Sequence, residues 1–233
     1  MQEITLSKRL GVLASMVEPC DTVTDVGCDH GLLALWLIDK GICKKAAASD
    51  INRGPLDTAR ANAKAYGMQA DRIDFILSDG LLGIAPFEKG SNTLVIAGMG
   101  GLLIKEILEK SRDKAKLYEP LILSPHTKQY ELRCYLTENG YIITAERYVC
   151  EDEKLYVMIK ACHARGRKTE PYSETELRFG RFTGRALEDK ETADFFKARY
   201  EELRRLEGKE GLPEERRRIL SEEAECYREV LRI

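Results

Sequence analysis

The amino-acid sequence predicts an α/β protein, in which a sheet of parallel strands ends in an antiparallel hairpin and is followed by a small helical domain. Up to about residue 163, short apolar runs of strand length alternate with helical patterns, which is typical of a parallel α/β sheet. Beyond that point charged residues dominate, and apolar residues recur at spacings of three and four. Such spacing is typical of paired helices.

Five apolar runs predict buried parallel strands, most of them followed by a helical pattern of crossover length. The predicted strands are Thr22–Val26, Lys45–Ser49, Ile73–Leu77, Thr93–Ala97 and Leu121–Ser124. The predicted helices are Gly31–Asp39, Pro55–Tyr66, Leu102–Lys110 and Lys128–Asn139. Two further strand patterns, Tyr141–Cys150 and Leu155–Cys162, leave no room for a helix between them, so they predict the antiparallel hairpin. The sheet is therefore Rossmann-like, but it differs from that of an ordinary dinucleotide dehydrogenase.

The change of pattern divides the chain into a domain of residues 1–164 and a helical domain of residues 165–233. Glycines and a proline between residues 207 and 213 separate two helical patterns, which predicts a helical hairpin of coiled-coil type. The apolar positions are Phe196, Tyr200 and Leu203 in the first helix and Leu220, Ala224, Tyr227 and Leu231 in the second. The alternative is a pair of charged helices that pack on the first domain.

Composition restricts the class of protein. The 233 residues are 43% hydrophobic and 33% charged, and no apolar stretch reaches the length of a membrane span, so we expect a cytoplasmic protein without membrane contact. Seven cysteines without a C-x-x-C pair predict reduced thiols, with neither a disulfide framework nor a metal site. The formal net charge of −2 means that any binding of nucleic acid depends on local basic patches.

The first candidate for chemistry is the loop between the first strand and the first helix, Asp25-Val26-Gly27-Cys28-Asp29-His30-Gly31. Gly27 allows a tight turn, and Gly31 allows close approach of a ligand. An acid directly before the turn would repel a pyrophosphate but suits a cationic ligand, and S-adenosylmethionine carries a sulfonium and an ammonium group. The alternative is that Asp25 only caps the turn.

Acids also end the second and third predicted strands. Asp50, followed by Ile51 and Asn52, stands where a carboxylate binds ribose hydroxyls in nucleotide-binding sheets. Asp79, followed by Gly80, is a candidate for the amino group of adenine. Each acid alone is also a common turn former. Ligands bind at the carboxyl ends of strands in open α/β sheets, so three acids at these ends favour one cofactor site.

The fourth strand ends in a glycine-rich loop, Ala97-Gly98-Met99-Gly100-Gly101, where a transferred methyl group would meet its acceptor. Enzymes that methylate exocyclic amines often have an Asn-Pro-Pro-Tyr type of loop here, and its absence favours a ring nitrogen. We therefore take Asp29, His30, Gly98 and Met99 as the catalytic candidates, with positioning roles, since a ring lone pair needs no base. The alternative is a tight turn that packs on the next helix.

Several basic groups and one histidine are candidate contacts to a nucleic-acid substrate, while Arg9 is assigned to the cofactor. The substrate candidates are Lys8, His126, Lys128, Arg133, Arg165, Arg167 and Lys168. Charged side chains of this kind are often only solvated.

At these residues the sequence resembles the bacterial tRNA adenine-22 N1-methyltransferase family. The resemblance spans most of the first domain. It rests on Leu6-Ser7-Lys8-Arg9-Leu10, Asp25-Val26-Gly27-Cys28-Asp29-His30, Asp50-Ile51-Asn52 with Pro55-Leu56, Ser78-Asp79-Gly80-Leu81, Ala97-Gly98-Met99-Gly100-Gly101 and Leu121-Ile122-Leu123-Ser124-Pro125.

The resemblance implies a Rossmann-like class I methyltransferase sheet, a coiled-coil domain, and transfer of a methyl group from S-adenosylmethionine to N1 of an adenine in the D-arm region of tRNA. The implied cofactor contacts are Arg9, Asp25, Gly27, Asp29, His30, Gly31, Asp50, Ile51, Asn52, Asp79, Gly80, Ala97, Gly98, Met99 and Gly100. The family has Gln-Pro-Asn where this chain has Ser124-Pro125-His126, and a Trp near Tyr135.

Some alternatives stay open at this stage. They are a methyltransferase for another RNA or a small molecule, a nicotinamide dehydrogenase, and a non-catalytic RNA-binding module. We expect a monomer, or a weak homodimer formed through the helical tail.

Overall fold

The computed structural model describes residues 3–85, 90–167 and 170–233. Its strands are β1 (Cys20–Val26), β2 (Cys43–Asp50), β3 (Ile73–Leu77), β4 (Asn92–Met99), β5 (Leu121–Pro125), β6 (Tyr141–Glu151) and β7 (Lys154–His163). Its helices are α1 (Lys8–Ser15), α2 (Leu32–Asp39), α3 (Arg53–Ala65), α4 (Gly101–Lys110), α5 (Arg112–Ala115), α6 (Gln129–Glu138), α7 (Glu174–Phe179), α8 (Thr183–Ala186), α9 (Lys190–Glu207) and α10 (Glu214–Leu231).

The strands form one mixed sheet in the order β3-β2-β1-β4-β5-β7-β6. The first five strands along the chain pair in parallel, and β7 pairs antiparallel with both β5 and β6. The chain runs outward from β1 to β2 and β3, then crosses back to place β4 on the other side of β1. This reversal opens a crevice at the carboxyl ends of β1 and β4, where α/β sheets bind ligands.

The sheet separates two hydrophobic cores. Val95 belongs to the core on the side of α2 and α3, whereas its neighbours Leu94 and Ile96 belong to the core on the side of α4 and α6. Successive side chains of a strand point to opposite faces, so both faces of β4 are buried. This burial explains why the parallel strands appear in the sequence as nearly continuous apolar runs.

The predicted α/β fold, with five parallel strands and a closing hairpin, is confirmed. Every strand and crossover helix that the sequence predicted is present, with ends that differ by a few residues. For example, α3 begins at Arg53, so that Pro55 is its third residue and not its first. A proline is tolerated there because the first N–H groups of a helix have no partner within it.

The sequence prediction missed four helices: α1, α5, α7 and α8. Three of them are six residues or shorter, below the length at which an apolar period is visible. Of these helices, α7 does have a signal in the sequence, because Ser173 and Glu176 form a capping box at its start. That spacing of Ser and Glu identifies a helix amino terminus in sequence.

The predicted pairing of two tail helices is confirmed, since α9 and α10 bury Leu203, Leu220 and Ala224 between them. Phe196 of α9 also packs against Phe179, so the hairpin contacts the rest of the protein as well. Both helices are rich in charge, and within the described ranges no helix is long and apolar enough to cross a membrane.

The structure contradicts the prediction that Arg133 contacts nucleic-acid phosphates. Its side chain is 1% exposed, and its guanidinium forms an ion pair with the buried carboxylate of Glu146. A buried cation requires such a partner, whereas a phosphate contact requires exposure. The prediction failed because α6 turns this position towards the hairpin strand β6 and away from solvent.

We expect Leu203→Ala to loosen the helical hairpin, because it leaves a cavity in a small core. The free energy of unfolding should fall by about 2 to 5 kcal/mol. Ile219→Ala is the matched control, since Ile219 is 41% exposed on α10 and its truncation should change stability by less than about 0.5 kcal/mol. Denaturant unfolding followed by circular dichroism measures both values, and equal losses in the two variants would contradict the assignment of this core.

Candidate active site

A cavity of about 540 Å³ opens at the carboxyl ends of β1, β2 and β4, in the crevice created by the reversal of strand order. This volume is typical of a site for a small molecule or cofactor. Its lining consists of Arg9, Leu10, Asp25, Val26, Gly27, Cys28, Asp29, His30, Leu32, Leu33, Asp50, Ile51, Asn52, Ser78, Asp79, Gly80, Ala97, Gly98, Met99, Leu103, Ile107 and His126.

The loop between β1 and α2 forms the floor of this cavity. The backbone N–H groups of Gly27 and Cys28 both donate to the carbonyl of Ser49, at 2.8 and 2.9 Å, and so fasten the loop to β2. The turn requires a left-handed backbone at Gly27, with φ of 74°. Asn62 of α3 donates to the carbonyl of His30 at 3.0 Å and holds the second half of the loop. The loop is therefore fixed before any ligand binds.

Four carboxylates line the cavity: Asp29 in the first loop, and Asp25, Asp50 and Asp79 at or just after the ends of three adjacent strands. Asp25 is buried, with 4% of its surface exposed. Asp50 accepts a hydrogen bond from the N–H of Asn52 at 2.8 Å, and Asp79 lies 3.8 Å from Nζ of Lys110. Burial raises the pKa of Asp25 to about 7, and the negative charges of Asp29 and Asp50 add to the rise. A cation in the cavity would favour the ionised form of Asp25.

A β-bulge shapes the opposite wall. Between Ala97 and Met99 the pairing of β4 with β5 shifts by one residue, and Gly98 takes a positive φ of 82°. Bulges bend a strand and redirect its side chains. Here the methyl group of Met99 lies against Gly27, where a Cβ would be only 2.7 Å away from it. The glycine-rich loop is therefore brought directly over the floor of the cavity.

The start of α4 is fixed by a close backbone contact. The N–H of Gly101 donates to the carbonyl of Thr127 at 2.7 Å, and a Cβ at Gly101 would collide with the carbonyl oxygen of Lys128. Glycine is thus required here for close approach rather than for an unusual φ. The contact joins the rim of the cavity to the segment that leads into α6.

A third wall combines residues that are distant in sequence. Nη1 of Arg9 lies 3.2 Å from Nε2 of His126, and the Arg9 guanidinium also stacks over the ring of Tyr156, 5.2 Å from its centre. Burial lowers the pKa of His126, and the charges of Arg9 and Lys154 lower it further. Among the described residues, Arg9 is the single Lys or Arg side chain on the cavity lining.

Most of the predicted cofactor contacts lie on this cavity. The two exceptions are Gly31, which packs closely on Ala59 of α3, and Gly100, which precedes α4. All four catalytic candidates, Asp29, His30, Gly98 and Met99, are on the lining, and Nε2 of His30 lies 3.5 Å from Oδ1 of Asp29. Their assigned roles stay predictions.

Sequence reasoning missed the apolar part of the lining. Leu103 and Ile107 lie four residues apart on one face of α4, and Leu33 and Leu10 come from α2 and α1. The four-residue spacing was visible in the sequence, but an apolar helix face usually indicates core, so it did not identify a cavity wall.

The candidate substrate contacts are spread over the molecule. His126 lines the cavity. Three of the cations are exposed and paired with carboxylates: Lys8 with Glu191 at 2.5 Å, Lys128 with Glu131 at 2.7 Å and Arg165 with Glu119 at 2.5 Å. Arg167 is exposed and donates to the carbonyl of Ala164 at 3.2 Å. Lys168 lies outside the described residues.

Two sequence comparisons show which proteins this chain is similar to. Residues 6–159 match the family model described as a methyltransferase domain. The tRNA (adenine(22)-N(1))-methyltransferase of Bacillus subtilis strain 168 is 32% identical over 203 residues, which cover 87% of this chain and 83% of that protein.

Two solved structures are similar to this chain over nearly its full length. A crystal structure of the Streptococcus pneumoniae protein Sp1610 superposes with a TM-score of 0.87 at 31% identity, covering 97% of this chain and 100% of that one. The same protein in complex with S-adenosyl-L-methionine gives a TM-score of 0.85 at 30% identity, again covering 97% and 100% of the two chains. The likeness therefore includes the helical tail.

We expect Gly101→Ala to destabilise the protein, because its Cβ has no space beside the Lys128 carbonyl. Overpacking against backbone should lower the free energy of unfolding by about 1 to 3 kcal/mol. Gly11→Ala is the control, since nothing lies within 4 Å of a Cβ there and alanine in a helix interior should raise stability by about 0.5 to 1 kcal/mol. Denaturant titration checks both signs, and a stabilised Gly101→Ala variant would contradict the close contact.

Proposed function

The chain belongs to the family of tRNA (adenine(22)-N(1))-methyltransferases, and on this premise we propose that it transfers a methyl group from S-adenosylmethionine to N1 of the adenine at position 22 of tRNA. The observation that carries the proposal is the charge pattern of the cavity, where three strand-end carboxylates face one guanidinium.

This charge pattern fits the cofactor. S-adenosylmethionine has two cationic groups, a sulfonium and an ammonium, and one carboxylate. Asp25 at the end of β1 suits the cationic end, and Arg9 is the partner for the carboxylate. Asp50 suits the ribose hydroxyls, and Asp79 the adenine amino group. The apolar side chains of Leu103 and Ile107 suit the faces of a planar base.

The remaining cofactor contacts follow from the loops that hold these groups. They are Gly27, Asp29 and His30 in the first loop, Ile51 and Asn52 in the second, Gly80 in the third, and Ala97, Gly98 and Met99 in the fourth. When bound, the cofactor supplies the methyl group and a neutral sulfur as leaving group.

The protein's part in the reaction is to orient the acceptor. Adenine N1 has a lone pair, so no side chain has to remove a proton before transfer. Asp29 and His30 on one side, and the bulge at Gly98 and Met99 on the other, enclose the space where the base would enter. Correct placement of two reactants supplies a large share of such a rate, and a carboxylate at Asp29 also favours the positive charge that the base acquires.

The helical tail is proposed to hold the tRNA. We assign catalysis to residues 1–164 and tRNA binding to residues 165–233, assisted by Lys8, His126, Lys128, Arg165, Arg167 and Lys168. An adenine in folded tRNA must be turned outward to expose N1, at a cost of a few kcal/mol that distant contacts offset. The protein would act in the cytoplasm, as a monomer or as a weak dimer through the tail.

We expect the affinity for S-adenosylmethionine to rise about tenfold between pH 5.5 and 7. Asp25 has a pKa of about 7 in the free protein, so it is mostly protonated at pH 5.5, and only its ionised form attracts a cation. Binding should therefore release a proton. Calorimetry in two buffers with different ionisation enthalpies measures that release. Asp25→Asn should bind more weakly and without the pH dependence, and an unchanged pH dependence would contradict the role of Asp25.

Digestion of methylated tRNA tests the reaction itself. Purified protein with S-adenosylmethionine and transcribed tRNA should yield 1-methyladenosine, which chromatography separates from N6-methyladenosine before mass spectrometry. A transcript with guanine at position 22 is the control and should remain unmethylated. Formation of only the N6 isomer or of a methylated guanosine would refute the proposed acceptor, while the methyltransferase assignment would stand.

A further inference from the structure

The buried side chain of Arg133 is used by none of the steps above. Its Nε donates to Oε1 of Glu146 at 2.8 Å, and both side chains are almost fully buried, with 1% and 0% exposed. Its Nη1 donates to the carbonyls of Leu177 and Arg178, at 3.2 and 2.9 Å. The planar guanidinium thus joins α6, β6 and the last turn of α7. The free carbonyls at a helix carboxyl end carry partial negative charge, which suits a cation.

Tyr148, also in β6, extends this contact. Its hydroxyl lies 3.5 Å from Nη2 of Arg133 and donates to the carbonyl of Phe179. The chain then turns at Gly180, where φ is 89° and where a Cβ would collide with the carboxylate of Glu146. The end of α7 is therefore pressed directly onto the ion pair. We call Arg133, Glu146 and Tyr148 the clamp.

The clamp connects to the helical hairpin through one aromatic ring. Phe179, whose carbonyl Tyr148 binds, packs its ring on Phe196 of α9 and Tyr227 of α10, with ring centres 5.6 and 4.5 Å apart. Phe196 and Tyr227 also contact each other, at 5.5 Å. Phe179 therefore links the clamp to both long tail helices.

The other end of this connection is the rim of the cavity. Lys128 precedes α6, and its carbonyl lies against Gly101 at the start of α4. Two residues earlier, the N–H of His126 donates to the carbonyl of Met99 in the bulge, at 2.9 Å. The first two turns of α6 thus join the methyl-acceptor side of the cavity to the clamp.

A buried ion pair is a poor way to gain stability, because desolvation of two charges offsets their attraction. An arginine instead fixes the orientation of its partners, since the N–H groups of its planar, fork-shaped guanidinium donate hydrogen bonds in fixed directions. In the clamp that fork points to one carboxylate and to two helix-end carbonyls. The arrangement suits a contact that has to hold α7 at a fixed angle to α6 and β6.

We propose that the clamp sets the position of the helical hairpin relative to the cavity, so that tRNA held by the hairpin presents its target adenine to the methyl donor. The inference rests on the proposed function, and it makes Arg133 a positioning residue. A tRNA is large and stiff, so a small rotation at the clamp displaces the target base. Misplacement by about 1 Å can lower a rate about a hundredfold.

The test is Arg133→Met, which keeps an unbranched side chain and removes the fork. We expect kcat with tRNA to fall at least about tenfold, because bound tRNA is misplaced. Affinity for tRNA and for S-adenosylhomocysteine should change less than about threefold, since the binding surfaces remain. Hydrogen exchange should show loss of protection in α7. Arg147→Met is the matched control, because Arg147 is exposed in β6 between Glu146 and Tyr148, and its replacement should leave all four measurements unchanged.

Two more variants keep the test decisive if Arg133→Met does not fold. Tyr148→Phe keeps the ring and loses the hydroxyl with its bonds to Phe179, Thr183 and Arg133, so kcat should fall a few-fold with binding unchanged. Arg133→Lys keeps a charge opposite Glu146 without the fork, and its kcat should lie between those of Met and Arg at this position. An unchanged kcat in Tyr148→Phe would overturn the proposal.

Other outcomes separate this inference from the proposed function. Weaker tRNA binding with unchanged kcat in Arg133→Met would overturn positioning and support a direct contact. Equal losses of cofactor binding and tRNA turnover in Arg133→Met would overturn positioning, and would mean that the clamp only stabilises the fold. If the wild-type protein does not methylate tRNA, the proposed function fails. Hydrogen exchange in α7, α9 and α10 of Arg133→Met then decides alone whether the clamp holds the hairpin, and unchanged protection refutes it.

Discussion

Parallel pairing of β1 with both β2 and β4 is the constraint on which the rest of the molecule depends. Parallel strands end at the same edge of a sheet, so residues far apart in sequence, such as Asp25, Asp50 and Met99, meet around one cavity. The same pairing buries both faces of the central strands, and this burial requires helices on either side. Site and fold therefore arise from one arrangement of backbone hydrogen bonds.

The cavity brings buried and exposed charges together. A carboxyl group as buried as Asp25 is held near its neutral form, whereas Asp50 and Asp79 keep hydrogen-bonding or ionic partners of their own. The free protein thus avoids the cost of an isolated buried charge. A cationic ligand changes this balance, because it supplies the missing counter-charge. Selectivity for cations is then a property of burial as much as of residue type.

The clamp has a different role, because it joins the charged helical hairpin to the apolar sheet. In the described part of the chain, the core of the hairpin has only three buried residues, Leu203, Leu220 and Ala224. Outside that core, α9 contacts Phe179 at the end of α7 and, through Glu191, Lys8 of α1. Packing of aromatic rings tolerates small rotations, whereas the fork of Arg133 does not. The ion pair with Glu146 therefore adds a fixed orientation to an interface that hydrophobic contact alone would leave loose.

The sequence by itself determined the α/β class with its parallel strands and closing hairpin, the acids at the strand ends and the pairing of the tail helices, because apolar period and turn residues are local signals. Only the tertiary structure decided what the side chains of Arg133 and His126 contact. Arg133 lies 13 residues from Glu146 and 45 from Arg178, and His126 lies 117 residues from Arg9. Whether such a side chain binds a partner, faces solvent or lines a cavity depends on contacts between distant segments, and no local pattern records those contacts.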